Sequence, residues 1–184
     1  APALDWDAWE EQGAKVVAFL NQRVENILAE EGIAYDIVNA INASAAAVEG
    51  NITGLCQRAH ALQDYRSRKE IAGLLAAMNR IGNILRSAEE EETTVAPELF
   101  TDESEKTLFE QIKQREDGAS ALLAAGDFAH ALDTLAELAP YIADFFEAVM
   151  VMDKDPALRR NRQALLRRIL SISQQIGDFG KIVE

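Results

Sequence analysis

Few side chains in this 184-residue sequence have the types and spacing that chemistry requires. Cys56 and His60 stand four residues apart and could face one metal ion on a helix, but zinc needs three or four ligands. The sequence has no second cysteine, and its other histidine, His130, lies between Asp127 and Asp133 without any motif that indicates a substrate cleft. Phosphate-binding glycine loops and nucleophile elbows are absent from the sequence. The sequence therefore predicts no catalytic centre, no metal site and no cofactor within this chain.

Basic residues form a second candidate site, although the overall charge argues against it. The formal net charge is −13, and bulk negative charge repels nucleic-acid phosphates. The charge is uneven, because segments 1–57 and 89–155 carry −7 and −14, whereas segments 58–88 and 156–184 carry +4 each. Salt screens charges beyond about 8 to 10 Å, so a basic surface can act independently of distant acids. The two basic segments therefore predict a surface that can bind phosphate.

The arginines of the last predicted helix differ in their position relative to its apolar stripe. Four lie opposite or beside the stripe and can reach phosphates or bases: Arg159, Arg160, Arg167 and Arg168. The alternative for these four is an ordinary solvated surface that balances the acidic middle segment. Arg162 falls inside the stripe, and a buried arginine needs a carboxylate partner. We expect it to form a structural ion pair with an acid such as Asp144 or Glu147.

The spacing of apolar residues predicts the elements that hold these side chains. Apolar residues recur every three to four positions, and no segment alternates apolar and polar residues as a strand does. The expected fold is all-α, an antiparallel helical bundle of about seven or eight helices. Local signals mark helix ends: Gly32, Gly126, capping boxes at 67–70 and 102–105, and Asp155 before Pro156. Four aromatic residues are expected in the core: Trp6, Trp9, Phe145 and Phe146.

Other features of the sequence bound the class of protein. No apolar run approaches the roughly 20 residues of a membrane span, so we expect no membrane partner. The single cysteine excludes a disulfide within the chain and suits a reducing compartment such as the cytoplasm. A run of four glutamates at 89–92 is expected to be a solvated loop rather than a cation site.

Two stretches resemble a known family of helical domains. Residues 74–86 contain Arg-Ile-Gly-Asn-Ile-Leu, and residues 155–166 contain Asp-Pro-Ala-Leu-Arg. Both are similar to elements of the DALR anticodon-binding domain family, which occurs in arginyl-tRNA synthetases and at the C-terminus of bacterial-type glycyl-tRNA synthetase beta subunits. Segments 126–132, 145–152 and 176–182 favour the glycyl version. The family usually has Asn-Lys where this chain has Met78-Asn79, so no contact by that lysine is carried over.

The resemblance implies a specific organisation and function. Residues 1–65 would be a preceding helical region and residues 66–184 the DALR anticodon-binding domain. The chain would be a non-catalytic part of a two-subunit ligase that charges tRNA with glycine, with ATP and glycine bound by the alpha subunit. Its partners would be the glycine tRNA anticodon region, the alpha subunit and the rest of the beta subunit, and DNA is not expected. Five arginines are the expected tRNA contacts: Arg80, Arg86, Arg159, Arg160 and Arg167.

Two alternatives remain at this point. An arginyl-tRNA synthetase anticodon domain would have the same fold and a different tRNA. An acidic helical scaffold would bind another protein and have no role with RNA, and it would expose an apolar patch instead of a basic one.

Overall fold

The computed structural model describes residues 6–44, 52–68, 71–88 and 94–183, with the backbone alone for 6–11, 14 and 18. Within these ranges the chain forms eight α-helices, two short 3-10 turns and no strand. The helices are α1 (Trp6–Glu30), α2 (Tyr35–Asn42), α3 (Ile52–Arg66), α4 (Ile71–Arg86), α5 (Glu103–Ala124), α6 (Phe128–Ala136), α7 (Ala139–Ala148) and α8 (Pro156–Gln174). The 3-10 turns span Pro97–Leu99 and Phe179–Lys181. The prediction of an all-α fold with about seven or eight helices is confirmed.

Most of the predicted helix signals act as expected. Gly32 and Gly126 follow α1 and α5 with φ angles of +82° and +76°, a conformation that glycine adopts without steric cost. Asp102 starts α5 in a complete capping box, since its carboxylate accepts from the Ser104 amide at 2.8 Å and Glu105 accepts from the Asp102 amide at 3.0 Å. Asp155 caps α8, with proline next to it. The capping box expected at 67–70 extends beyond the described residues, and the glutamate run at 89–92 lies entirely outside them.

Apolar residues from all eight helices meet in one continuous core. The helix α5 packs against α6, α7 and α8, and α4 packs against α8 and α7. Phe145 and Phe146 are buried as expected, whereas the side chains of Trp6 and Trp9 lie outside the described part of the chain. The proposed boundary between residues 65 and 66 stays a prediction. None of the described helices is long and apolar enough to cross a membrane.

The apolar stripe of α1 is covered only near its C-terminal end. Val24 and Leu28 are 5% and 2% exposed, whereas Val17 and Leu20, which belong to the same stripe, are 43% and 38% exposed. The principal contacts of α1 are with α2 and α3. The stripe therefore predicted the helix correctly, but the core covers only part of it.

The segment after α8 packs closely against α2 and α3. A Cβ atom at Gly177 would lie 3.2 Å from Leu62 Cδ1 and 3.5 Å from the Ala40 carbonyl oxygen. Because glycine has no Cβ, the backbone approaches closely enough for the Asp178 amide to donate to the Ala40 carbonyl at 2.8 Å. This contact places the turn Phe179–Lys181 beside α4.

A buried carboxylate holds the last described residues. Asp36 is 2% exposed and accepts from the Val183 amide at 2.9 Å and from Arg66 Nη1 at 2.8 Å. Burial opposes ionisation of Asp36, but these hydrogen bonds outweigh it and lower the pKa of the carboxyl. The ionised aspartate therefore links the C-terminal segment to α2.

Candidate nucleic-acid interface

The fold divides the basic side chains into those that pair with acids and those that do not. Several arginines form ion pairs between separate parts of the chain: Arg66 with Asp36, Arg68 with Asp133, Arg115 with Glu137, Arg162 with Glu105, and Arg168 with Glu116. In contrast, Arg80, Arg86 and Lys181 have no ion-pair partner among the described residues. All three are exposed and lie on α4 or on the turn that packs beside it. Their charge is therefore available to an external anion.

Arg162 is structural, as predicted, but its expected partners were wrong. Its Nε donates to Glu105 Oε1 at 2.9 Å and its Nη1 donates to Asp153 Oδ2 at 2.7 Å, rather than to Asp144 or Glu147. The reason is that its side of α8 faces the start of α5 and the segment after α7. Burial disfavours the charge, but the hydrogen bonds to the two carboxylates outweigh it and raise the pKa of Arg162.

A polar groove lies where α4 meets the C-terminal turn. Asn79, Asn83 and Arg86 are spaced by four and three residues, so they share one side of α4 and line the groove together. The opposite walls come from α8 and the segment after it: Leu170, Asp178, Phe179, Gly180 and Lys181. The groove encloses about 170 Å³. It combines apolar side chains with amides, a carboxylate and two cations.

The groove has the hydrogen-bonding groups that an unstacked base and its phosphate require. The Asp178 carboxylate accepts from the Gly180 amide at 3.0 Å, which holds the turn that carries Lys181. Asparagine side chains both donate and accept, and a carboxylate accepts, so together they can pair with the edge of a base. Arg86 and Lys181 can hold phosphate. This arrangement can bind single-stranded RNA and contains no group placed to cleave or transfer it.

The five predicted contact arginines occupy two helices. Arg80 and Arg86 lie on α4, about 9 Å apart along its axis. The other three lie on α8: Arg160 is exposed, whereas Arg159 and Arg167 are half-buried. Arg159 Nη1 donates to the Asp153 carbonyl at 3.1 Å. Residues 161–166 of α8 are all buried, so this helix is embedded in the fold and presents less basic surface than its sequence suggests.

Sequence reasoning did not select four polar residues of the polar groove. Asn79, Asn83, Asp178 and Lys181 line it beside Arg86. The two asparagines could have been found by extending the helical face of Arg86 backwards by three and seven residues. Lys181 carried no such signal, because the fold alone brings the C-terminal turn to α4.

The residues considered for metal binding or acid–base chemistry make local contacts. His60 Nδ1 lies 2.8 Å from the Cys56 carbonyl oxygen, and its Nε2 lies 3.1 Å from Glu31 Oε2. His130 Nδ1 lies 2.8 Å from Asp127, which caps α6. The hydrogen bond from His130 lowers the pKa of Asp127. In the described part of the chain, no group of three or more metal-ligating side chains converges.

The chain belongs to the DALR anticodon-binding domain family, whose model matches residues 74–176. The matched range begins within α4 and includes α8, the two helices that carry the predicted arginines. The resemblance read from the sequence motifs is confirmed.

Beta subunits of glycine–tRNA ligase from several bacteria are similar to this chain. The Clostridioides difficile protein is 32% identical over 180 residues, which cover 98% of this chain and 25% of the relative. The Acidobacterium capsulatum protein is 36% identical over 178 residues, covering 92% of this chain and 25% of the relative. The Methylobacillus flagellatus protein is 34% identical over 91% of this chain and 23% of the relative. This chain thus spans about a quarter of the length of these relatives.

Proposed function

We propose that this chain is the tRNA-recognition part of a glycine–tRNA ligase beta subunit and that it binds the anticodon loop of glycine tRNA. Family membership and the names of the relatives support this assignment. The observation that carries it is the grouping of Arg80, Arg86 and Lys181, three cations without carboxylate partners in the described structure, around α4. In a chain with a net charge of −13, such a group supports the surface around α4 as the one that would meet phosphate.

The polar groove suggests how loop bases are read. Glycine anticodons share two cytosines, and each cytosine edge has a donor at N4 and acceptors at N3 and O2. Asp178 or an asparagine can accept from N4, while Arg86 or Asn83 can donate to the acceptors. Phosphate contacts by the cations would position the loop, and the base contacts would supply the specificity.

The arginines of α8 are proposed as additional phosphate contacts. Arg160 is exposed, and Arg159 and Arg167 are partly exposed. Because α8 packs against α4, RNA bound along α4 could extend onto this second basic surface. Arg162 is excluded from this role, since Glu105 and Asp153 already bind its guanidinium.

In this proposal the chain contributes to a ligase without performing the chemistry itself. Glycine and ATP would react in the alpha subunit, and the remaining three quarters of the beta subunit would complete the tRNA grip. The assembly would act in the cytoplasm.

The test measures the affinity of this chain for three RNAs. These are glycine tRNA, glycine tRNA in which both anticodon cytosines are replaced, and arginine tRNA. We expect the unmodified glycine tRNA to bind most tightly. Stronger binding of arginine tRNA would favour the arginyl alternative. Absence of salt-sensitive binding to any of the three would refute the proposal and favour the protein-binding scaffold.

A paired set of variants locates the surface. Arg86→Ala with Lys181→Ala should weaken binding by about tenfold or more. The salt slope, which is the slope of the logarithm of the binding constant against the logarithm of the salt concentration, should become shallower by about 1.5, as expected for two lost phosphate contacts. The matched control is Arg23→Ala with Lys106→Ala, which removes the same charge from exposed positions on α1 and α5. Equal losses in the two double variants would show that net charge, and not the α4 surface, governs binding.

A further inference from the structure

We propose that Arg80 and Phe146 form a stacking platform for one unstacked base of the bound RNA loop, and that this base enters a second groove between α4 and α7. The proposal rests on the proposed function, because it assigns a role within RNA recognition. It adds a base-binding site separate from the polar groove of Asn79, Asn83 and Arg86.

The platform begins with the position of the arginine. Arg80 Cζ lies over the Phe146 ring, 4.0 Å from its centre, a separation at which a guanidinium attracts the ring electrostatically. Phe146 is 8% exposed, whereas Arg80 is exposed. One side of the guanidinium is therefore supported by the ring, and the remaining surface is open to solvent.

Among the described residues, no carboxylate forms an ion pair with Arg80. Its contact in this part of the structure is the cation–π interaction with Phe146. This distinguishes it from the ring-stacked arginines that also bind acids: Arg68 with Asp133, Arg115 with Glu137, and Arg168 with Glu116. In those three the hydrogen-bonding edge of the guanidinium is occupied. In Arg80 the ring orients the side chain, while the edge remains available to a ligand.

The space next to this platform suits a flat, largely apolar group. The groove encloses about 380 Å³. Its other walls are built mainly from small residues: Gly73, Ala76, Ala77, Ala139, Pro140 and Ala143. A Cβ atom at Gly73 would lie 3.8 Å from Ala139 Cβ, so the two helices approach closely at these two lining residues. Small side chains on both helices thus leave a slot whose single charged lining residue is Arg80.

A nucleobase matches these properties better than an isolated phosphate. Bases in single-stranded RNA loops stack on aromatic rings and on arginine guanidinium planes. An apolar slot offers a phosphate no hydrogen-bond donors besides Arg80. The same slot shields the apolar faces of a base from water, which favours binding of the base. Arg80 is the next residue after Asn79, so it points about 100° around α4 from the polar groove. The two grooves can therefore receive different bases of one loop.

The experiment measures binding of an anticodon stem-loop of glycine tRNA to the full 184-residue chain and its variants. Arg80→Lys keeps the charge but removes the planar group. Ala143→Leu fills the slot from an exposed helix position, where leucine retains good helix propensity. The control is Arg23→Lys, the same substitution at an exposed arginine on α1. A series of stem-loops with one abasic position each then identifies the base that occupies the slot.

We expect Arg80→Lys and Ala143→Leu each to weaken binding by about tenfold, the effect of losing one stacked base. The salt slope of Arg80→Lys should equal that of the unmodified protein, because the charge is retained. One abasic stem-loop should bind the unmodified protein about tenfold more weakly and should bind Arg80→Lys with no further loss. That non-additivity would link the base to the arginine.

Two results overturn the inference in different ways. If the unmodified chain binds the stem-loop but Arg80→Lys and Ala143→Leu bind as tightly, the platform is refuted and the proposed function stands. If the unmodified chain shows no salt-sensitive binding, the proposed function fails together with the platform. Circular dichroism of each variant confirms that a loss of affinity does not reflect unfolding.

Discussion

Replacement of Arg162 by methionine tests the buried ion-pair cluster. The Arg162 side chain is 6% exposed and Glu105 is 1% exposed. The guanidinium makes four hydrogen bonds, to Glu105, to Asp153, to the Met150 carbonyl and to Thr101 Oγ1, at 2.7 to 3.0 Å. Methionine fills similar volume but leaves the Glu105 carboxylate buried without its cation.

The expected loss is large because the remaining carboxylate cannot reach water. Removal of one member of a buried pair typically costs about 3 to 5 kcal/mol. In a chain of this length each kcal/mol lowers Tm by roughly 2 to 4 °C, so Tm should fall by roughly 6 to 20 °C. Glu105 Oε2 keeps its hydrogen bonds from the Thr101 and Asp102 amides, which places the loss toward the lower end of that range.

Thermal unfolding followed by circular dichroism measures the effect, with Arg115→Met as the control. Arg115 pairs with Glu137, whose side chain is 63% exposed, and such surface pairs contribute about 1 kcal/mol or less. A Tm loss for Arg162→Met no greater than for Arg115→Met would refute the burial argument. RNA affinity of folded Arg162→Met should be unchanged, and a specific loss of affinity would contradict the structural role.

Three further predictions concern the helix ends, the pH dependence and α8. Gly32→Ala should lower the free energy of unfolding by about 1 to 2 kcal/mol, because φ is +82° there. Gly118→Ala within α5 should instead raise the free energy of unfolding by about 0.4 to 1 kcal/mol. Urea titration of both variants measures the two changes. The ionised Asp36 stabilises the fold at pH values above the pKa that its carboxyl has in the unfolded chain, and this contribution is lost as pH falls below about 4. Asp36→Asn should therefore be less stable than the unmodified chain at pH 7, and the difference in stability should shrink toward pH 3. Arg160→Ala with Arg167→Ala should weaken tRNA binding and flatten its salt dependence, and unchanged affinity and slope would remove α8 from the interface.

Local signals predicted the fold class and several helix ends, because they act over a few residues. The carboxylate of Asp102 and the side chain of Glu105 satisfy backbone amides within the same turn. Gly32 and Gly126 end helices through their own backbone conformation. These effects need no knowledge of the tertiary structure, so apolar spacing and capping residues were sufficient to predict them.

Contacts between distant segments could not be predicted in the same way. The position of Arg162 in the apolar stripe was enough to predict that it is buried. Its partner Glu105 lies 57 residues away in the sequence, and the prediction that it pairs with an acid such as Asp144 or Glu147 was wrong. The exposed positions on α1 were likewise unpredictable, because periodicity shows that a helix has an apolar side but not whether another helix covers it.

The sequence by itself determined the helices, the family and the two segments in which positive charge is concentrated. Only the tertiary structure decided which of those charges can bind an external anion. The fold neutralises Arg68 with Asp133, 65 residues away, and Arg168 with Glu116, 52 residues away. It also brings Lys181 beside Arg86 through the close approach of Gly177 to α2 and α3. Availability of a charge depends on which acids the packing brings within a few ångströms, and positions along the chain do not contain that information.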